Sequence, residues 1–404
     1  MKWMHALRGA MALAVAMLGA FALADIDVPS DGSDGDLVVA DNQTRTIDLG
    51  LATTGTWNQP GNGNGVYDPI KWAVVFKYNS VNIANRGILR FTNHPSNPPV
   101  VWLVKGDVFC QGYIVLEGRS GIGDRSFSVP GPGGFGGGRG TATSTDSSAG
   151  RGPGAAATRQ ESAAFANSHG NASAYGNAAL LPLIGGSGGA RGDQAGGAAG
   201  GGAILIASRQ TVIINKSPNF FDGGVMAGST GRIGSGGGIR VVAETIRGDG
   251  RFNATWTGDA SFTQSFGRIR IEAVNNFSSY QLQGSTSIVP LVGTPQIWPS
   301  DTSPQAKILS IGGLNAPSDP RAQDGDTNAD MTLNTDQPVI VRVQCTNVPV
   351  ANWKVQLKLV VPEGDAVLKE CTLVEGNDVV SFWEASFTLP PGVSVIQPRA
   401  YKFQ

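Results

Sequence analysis

Three segments in the second half of the chain share one pattern of apolar positions. Each reads Ile-x-(Ile/Val)-x-(Ala/Ser), and the copies lie at Ile204–Ser208, Ile239–Ala243 and Ile269–Ala273. This alternation places three apolar side chains on one face of a β-strand. A looser copy, Val101–Lys105, lies upstream. Because one short unit recurs, the pattern predicts a solenoid of stacked strands.

The upstream copy indicates that more than a single strand is repeated. If Val101 is aligned with Ile239, then Val108 falls on Ile246, so two strands and the turn between them recur together. Glycines precede the copies, at turns where stacked backbones approach closely or need positive φ angles. We therefore predict an all-β fold whose first part is a right-handed parallel β-helix over residues 25–298, with an N-terminal cap.

A glycine-rich insertion interrupts the predicted helix at residues 131–202, which hold 22 of the 57 glycines of the chain. Such a composition cannot bury enough apolar surface to form an ordinary core. A disordered linker and a long loop docked on the helix are both consistent with it. The apolar segment Tyr175–Ile184 favours the docked loop, because a linker has no need of such residues.

The last hundred residues have little glycine, and their apolar positions follow a different spacing. A Pro- and Ser-containing stretch, residues 299–305, reads as a linker. About seven short alternating strands then follow over residues 306–404. This spacing is typical of a β-sandwich of the immunoglobulin or fibronectin type, and it does not choose between sandwich topologies.

The first 24 residues read as a signal peptide. Lys2 and Arg8 precede an apolar core, and Ala22-Leu-Ala24 forms a cleavage site of small residues. The apolar stretch is short for an uncleaved membrane anchor, which is the competing interpretation. We therefore expect a secreted or cell-surface protein that has no transmembrane anchor once the signal is cleaved.

Charge and cysteine content indicate which ligands and which disulfide bonds can be expected of this chain. Thirty basic residues balance 31 acidic ones, and together they make up only 15% of the chain, so no basic field favours nucleic acid. Three cysteines are present: Cys110, Cys345 and Cys371. Cys345 and Cys371 lie on strand-like segments of one region, so a disulfide between them is one prediction for an oxidising compartment, and two free thiols are the alternative.

The best charged group lies within the repeats. Arg240, Arg268 and Arg270 alternate with the apolar positions, as do Glu244 and Glu272. They are therefore expected on the outer face of the strands, as a solvated ladder of Arg and Glu or as contacts to a ligand. A hydrolase would need paired carboxylates in one groove, and a lyase would need an acidic cluster with a basic residue. From the sequence we assign no catalytic residue and no cofactor.

Two acidic loops raise the question of Ca²⁺. Oxygen-bearing side chains alternate at Asp324, Asp326, Asn328 and Asp330, like the front of a calcium loop, but the central glycine and final Glu of an EF-hand are missing. The segment 30–36 alternates Asp and Gly. It suits either a Ca²⁺ loop or a flexible leader, and we favour the leader.

Several longer phrases carry a family resemblance. They are Ser30–Gly35, Tyr67–Phe76, Pro99–Val104, Leu183–Gly189 and Gly236–Ala243. In these phrases the chain resembles uncharacterised, exported, glycine-rich β-helix proteins of environmental bacteria, over most of residues 30–315. The resemblance implies the fold and export, and it brings no catalytic residues.

These observations favour a structural and adhesive role. Rigid repeats and balanced charge suit a secreted or cell-surface protein that binds an extracellular or envelope polysaccharide through exposed Trp, Tyr and Arg side chains. A polysaccharide lyase or glycoside hydrolase on the same scaffold is the alternative. A purely architectural part of a surface layer is the third hypothesis.

Overall fold

The chain forms an all-β structure in a computed structural model, as the apolar pattern predicts. The structure describes residues 26–119, 127–140, 148–155, 175–190, 196–217, 223–231, 233–255, 266–321 and 329–403. The predicted signal peptide lies outside these residues. Within them, 25 strands form four sheets, and one 3-10 helix spans Leu49–Leu51.

The first two sheets contain the strands of residues 36–290. The first sheet has 11 strands: β1 Asp36–Val39, β3 Thr53–Thr54, β4 Val66–Asp68, β5 Ala73–Tyr78, β6 Ser80–Ile83, β8 Val100–Val104, β9 Val108–Cys110, β11 Ala203–Ile214, β13 Gly238–Gly248, β15 Arg268–Ser278 and β17 Ser285–Pro290. The second has six: β2 Thr44–Asp48, β7 Ile88–Thr92, β10 Tyr113–Val115, β12 Gly224–Met226, β14 Arg251–Asn253 and β16 Gln281–Gln283. Apart from the β4–β5 pair, all strand pairs in these sheets are parallel.

From β10 onward the chain alternates between the two sheets, and we call one passage through both a coil. Each strand pairs with the strand one coil away, so the repeated phrase stacks on itself: Ile204 pairs with Ile239, which pairs with Ile269. These side chains are buried in a core between the sheets, together with Val241 and Ile271. The predicted inward direction of the phrase is confirmed.

The upstream copy is shifted by one residue from its predicted alignment. Val100, not Val101, pairs with Ile204 and is therefore equivalent to Ile239. A bulge in β11 restores the predicted match further on, where Val108 and Ile246 both pair with Val212. All five residues of β8 are buried. Alternation cannot define the register of a strand that is buried on both faces.

The outer face of the first sheet is covered by a second apolar cluster. Val101, Leu205 and Val242 belong to it. The segment 291–298, which follows β17, contributes Ile297 to this cluster, and Trp298 packs against it. This segment therefore runs back across the outer face of the sheet and closes it.

The acidic N-terminal segment is an anchored part of the fold, and the expectation of a flexible leader is wrong. Asp34 is buried, and its carboxylate accepts hydrogen bonds from the backbone N–H groups of Gly63, Gly65 and Lys77 at 2.6–2.9 Å. The buried Lys77 ammonium donates to the carbonyl of Asn58 at 2.9 Å. The charged side chains of Asp34 and Lys77 thus hold neighbouring loops in place through hydrogen bonds to their backbone.

Most of the described glycine-rich block is packed, which agrees with the docked-loop interpretation, although the segment 175–183 is largely at the surface. Five extended segments, 131–140, 148–154, 184–190, 196–202 and 233–238, form what we call the glycine bundle. The segment 184–190 bonds through its backbone to each of the other four, for example Phe135 N–H to Gly186 O at 2.9 Å. Extended glycine chains can bond on several sides in this way because few of their peptide groups are used by hydrogen bonds within the segment.

This packing is possible because glycine has no side chain. A Cβ atom on Gly188 would lie 1.9 Å from the carbonyl oxygen of Gly136, and one on Gly200 would lie 1.9 Å from that of Gly186. Backbones at this distance leave no room for any other residue type. Glycine composition in the block is therefore a packing requirement.

The remaining strands form two antiparallel sheets. The third sheet holds β18 Gln305–Ile311, β19 Leu314–Asn315, β20 Val339–Thr346, β23 Thr372–Gly376 and β24 Val380–Phe387; the fourth holds β21 Trp353–Val360, β22 Val367–Glu370 and β25 Val395–Lys402. Their inner faces share one apolar core that includes Val343, Leu357 and Trp383.

A buried lysine joins the fourth sheet to the glycine bundle. Lys358 donates to the carbonyl of Gly150 at 3.0 Å and to that of Ala155 at 2.9 Å. Burial lowers the pKa of Lys358 to about 8, with a further contribution from the Arg399 charge. Gln397 accepts from the N–H of Gly152 at 3.0 Å. These polar contacts hold the antiparallel part against the glycine segments.

The predicted disulfide between Cys345 and Cys371 is not formed, since both are free thiols. Cys345 pairs with Ser381, which pairs with Gly376 on the next strand, five residues beyond Cys371. By ordinary strand spacing the two Cα atoms are therefore more than about 10 Å apart. A disulfide needs them within about 7 Å.

Substitution in the glycine bundle tests its close packing. Gly188→Ala should lower the free energy of unfolding by about 1–3 kcal/mol or more, because its Cβ meets fixed backbone. Gly136→Ala is the matched control, since its Cβ would lie 3.4 Å or more from its neighbours. Chemical denaturation of both variants measures the difference, and equal losses would contradict the packing described.

Candidate functional site

The predicted arginine ladder is a buried ion-pair cluster. Arg240 is only 2% exposed. Its Nε donates to Oε1 of Glu272 at 2.7 Å, and Nε of Arg270 donates to the same oxygen at 2.8 Å. Arg268 is partly buried nearby on the same strand as Arg270. The expectation that these residues face water and contact a ligand is wrong for Arg240, because the outer face of this sheet is covered.

Electrostatics explains how the cluster tolerates burial. Burial opposes ionisation of Glu272, but the hydrogen bonds and charges of Arg270 and Arg240 outweigh it and hold the pKa of Glu272 below its usual value. Removing one partner of such a cluster leaves a buried charge uncompensated. The cluster is therefore part of the structural framework.

The acidic loop near residue 324 is described only at its end. Asp324, Asp326 and Asn328 lie outside the described residues. The carboxylate of Asp330 accepts from the backbone N–H and the Nε of Arg321 at 3.1–3.2 Å. In the portion of the chain that the structure describes, no three His, Cys, Asp or Glu side chains are grouped to hold a metal ion.

A different surface, on the second sheet, carries polar side chains on several of its strands. In the second sheet, Leu89, Ile114 and Phe252 point into the core, so their neighbours along each strand point outward. We call this outer surface the polar face. Its residues are Thr46, Asp48, Arg90, Thr92, Glu117, Arg251, Gln281 and Gln283.

Strand register sets the spacing of these groups. Asp48 pairs with Thr92, whose hydroxyl donates to the Asp48 carboxylate at 2.8 Å. Val115 pairs with Arg90, so Glu117, two residues further, continues the row of Asp48 and Thr92. Parallel strands lie about 4.8 Å apart. Hydrogen-bonding groups therefore recur at this interval from β2 to the end of β10. Gly224 and Met226, the outward residues of β12, interrupt them before Arg251 and Gln283.

Glu117 has the most perturbed environment on the polar face. Burial raises its pKa, although the charges of Arg90 and Arg251 act in the opposite direction. Arg251 donates from Nε to the side-chain oxygen of Gln283 at 3.1 Å. The face thus offers cations, amides, hydroxyls and a carboxyl group that is easily protonated, and these suit a polyhydroxylated or acidic chain.

Sequence reasoning missed the polar face because the strands of the second sheet are short. β10, β12, β14 and β16 have three residues each, too few for alternation to be recognised. A usable signal was the spacing from each long strand to the polar-apolar-polar triplet that follows it, such as Arg251-Phe-Asn253 and Gln281-Leu-Gln283.

Comparison with known proteins found no matching family model, no matching curated protein and no matching solved structure. Functional inference therefore rests on the geometry above. None of the described residues belongs to a helix of the length and apolarity that crossing a membrane requires.

The buried ion pairs allow a test of the covered outer face. Glu272→Gln should lower the free energy of unfolding by about 3–5 kcal/mol, because it leaves the buried Arg240 without a countercharge. Asp41→Asn removes the partner of Arg86 in an exposed pair, and should lower the free energy of unfolding far less than Glu272→Gln does. Denaturant unfolding of both variants measures this, and a small loss for Glu272→Gln would show that Arg240 is hydrated.

Proposed function

We propose that this chain is an exported structural and adhesive protein, secreted or held at the cell surface, that binds polysaccharide on its polar face. The observation that carries the proposal is the row of hydrogen-bonding side chains formed by Asp48, Thr92 and Glu117 across three neighbouring segments of the second sheet. An extended polysaccharide presents hydroxyl or carboxylate groups at regular intervals, which a row of regularly spaced partners can match.

The scaffold in this proposal is a right-handed parallel β-helix followed by an immunoglobulin- or fibronectin-like sandwich. Support comes from the parallel pairing of strands one coil apart and from the shared core between the first two sheets. Crossovers between parallel strands are right-handed in nearly all proteins. Membership in the exported glycine-rich group rests on the phrases at Tyr67–Phe76 and Gly236–Ala243, and export rests on the signal sequence.

Binding can be tested directly. We expect the purified chain to bind a subset of acidic polysaccharides on a carbohydrate array. Arg90→Ala should then weaken binding about tenfold or more, because a charge-assisted hydrogen bond contributes about 1.5–3 kcal/mol. Arg342→Ala, which removes an arginine of the third sheet, is the control. Absence of binding, or equal binding by both variants, would contradict the proposal.

A second candidate function is hydrolysis of the bound polysaccharide, favoured by the environment of Glu117. Asp48 lies in the same row two strands away, about 10 Å by backbone spacing. Inverting glycosidases separate their two carboxyl groups widely enough for a water molecule. Glu117 would protonate the glycosidic oxygen as its bond to the anomeric carbon breaks. Asp48 would take a proton from the water whose oxygen bonds to that carbon.

Sugar-end assays separate the two candidates. Release of reducing ends from a bound polysaccharide, abolished in Glu117→Gln while binding is retained, would establish hydrolysis. Glu370→Gln, an exposed carboxyl of the fourth sheet, is the control and should leave any activity unchanged. Binding without new sugar ends in the unmodified chain would leave adhesion as the function of the face.

A further inference from the structure

The apolar interior of the stacked coils ends in water at the last coil. Thr286, Ile288 and Pro290 of β17 pair with Ile269, Ile271 and Ala273 of β15, which point into the core and are at most 3% exposed. Ile288 occupies the next inward position but is 54% exposed. Terminal units of a repeat array ordinarily carry a polar cover. This end of the core has none among the described residues.

The backbone of the last coil also has unused pairing capacity. Within the described chain, β17 pairs only with β15, and β16 only with β14. Ser285 N–H bonds to Gly267 O and Leu291 N–H to Ala273 O, so odd-numbered residues face β15. The amides of Thr286 and Ile288 consequently point away from the sheet. An exposed strand edge of this kind is a template for another strand.

The sequence of this coil lacks the charges that usually protect an edge. From Ala273 to Ser300 there is no Lys, Arg, Asp or Glu, whereas β13 and β15 contain several. Phe277 and Val292 add exposed apolar surface from the same stretch. Natural edge strands are commonly protected by charged residues, especially lysine. We call β16, β17 and these two residues the open end.

We propose that the open end is an interface through which two copies of this chain associate end to end, with β17 antiparallel to β17 of the second copy. In a two-fold contact, each residue near the axis meets its own kind. Charges there would repel, so an uncharged end fits a second copy. The contact would cover Ile288 and pair the outward amides. This inference does not depend on polysaccharide binding.

Oligomeric state under matched substitutions tests the interface. Sedimentation equilibrium of the full chain should show a dimer at micromolar concentration. Ile288→Lys should raise its dissociation constant at least about 100-fold, because it places two lysines at the contact. Ile340→Lys is the matched control: Ile340 is also on a strand and is 52% exposed, but it lies on the third sheet, so its dimer should persist.

A second variant acts on the backbone. Thr286→Pro removes an outward N–H without touching the bonds to β15, and proline is tolerated on strand edges. It should also favour the monomer, with an unchanged circular dichroism spectrum. A wild-type chain that stays monomeric at 100 µM or above, or an Ile288→Lys chain that still dimerises, would overturn the proposal. Open-ended filaments would overturn the two-fold arrangement.

Discussion

Parallel backbone pairing between successive coils is the constraint on which the rest of this structure depends. Once Ile204, Ile239 and Ile269 are held in one register, every other position along the strands is also stacked on its equivalent. A single set of backbone hydrogen bonds thus produces an apolar interior, a covered outer face on the first sheet and a polar face on the second. A one-residue slip would exchange interior and exterior along a strand.

The glycine bundle is also organised by backbone hydrogen bonds between neighbouring segments, but with few side chains between them. Its segments are held by backbone hydrogen bonds and by contacts at distances that only glycine allows, as between Gly188 and Gly136. Its buried apolar side chains are mostly small, such as Ala149, Ala198 and Ala199. Stability must therefore come from many satisfied peptide groups, excluded from water, together with contacts at the border such as that of Lys358 with Gly150. The described segments of the block are closely packed despite a composition typical of linkers.

Sequence patterns predicted the strands in which apolar and polar residues alternate strongly. The three Ile-x-(Ile/Val)-x-(Ala/Ser) phrases indicated both stacking and direction, because one face is apolar throughout. The register of Val100 could not be read, since its strand is apolar at every position. Packing of the glycine segments was equally hidden, because the information lies in distances between backbones and not in any side chain.

For the candidate sites, too, the sequence predicted some features and the tertiary structure was needed for others. Alternation placed Arg240 on the outer face of its strand correctly, yet it carries no information about a distant segment such as Leu291–Trp298 covering that face. The environment of Glu117 depends on Arg90 and Arg251, which come from other coils. Local sequence therefore indicates which way a side chain points, and only the tertiary arrangement determines whether it meets water, a partner or a ligand.

The position of the glycine block within the chain has a consequence for folding. It separates β8 and β9 from β11, the strand they pair with, so Ser208 bonds to the carbonyl of Gly106 across 102 residues of sequence. Coils β11 to β17 can grow by adding neighbours of short sequence separation. Joining them to β8 and β9 requires closure of one long loop, which is slow. The rate of folding should thus be governed by this single closure.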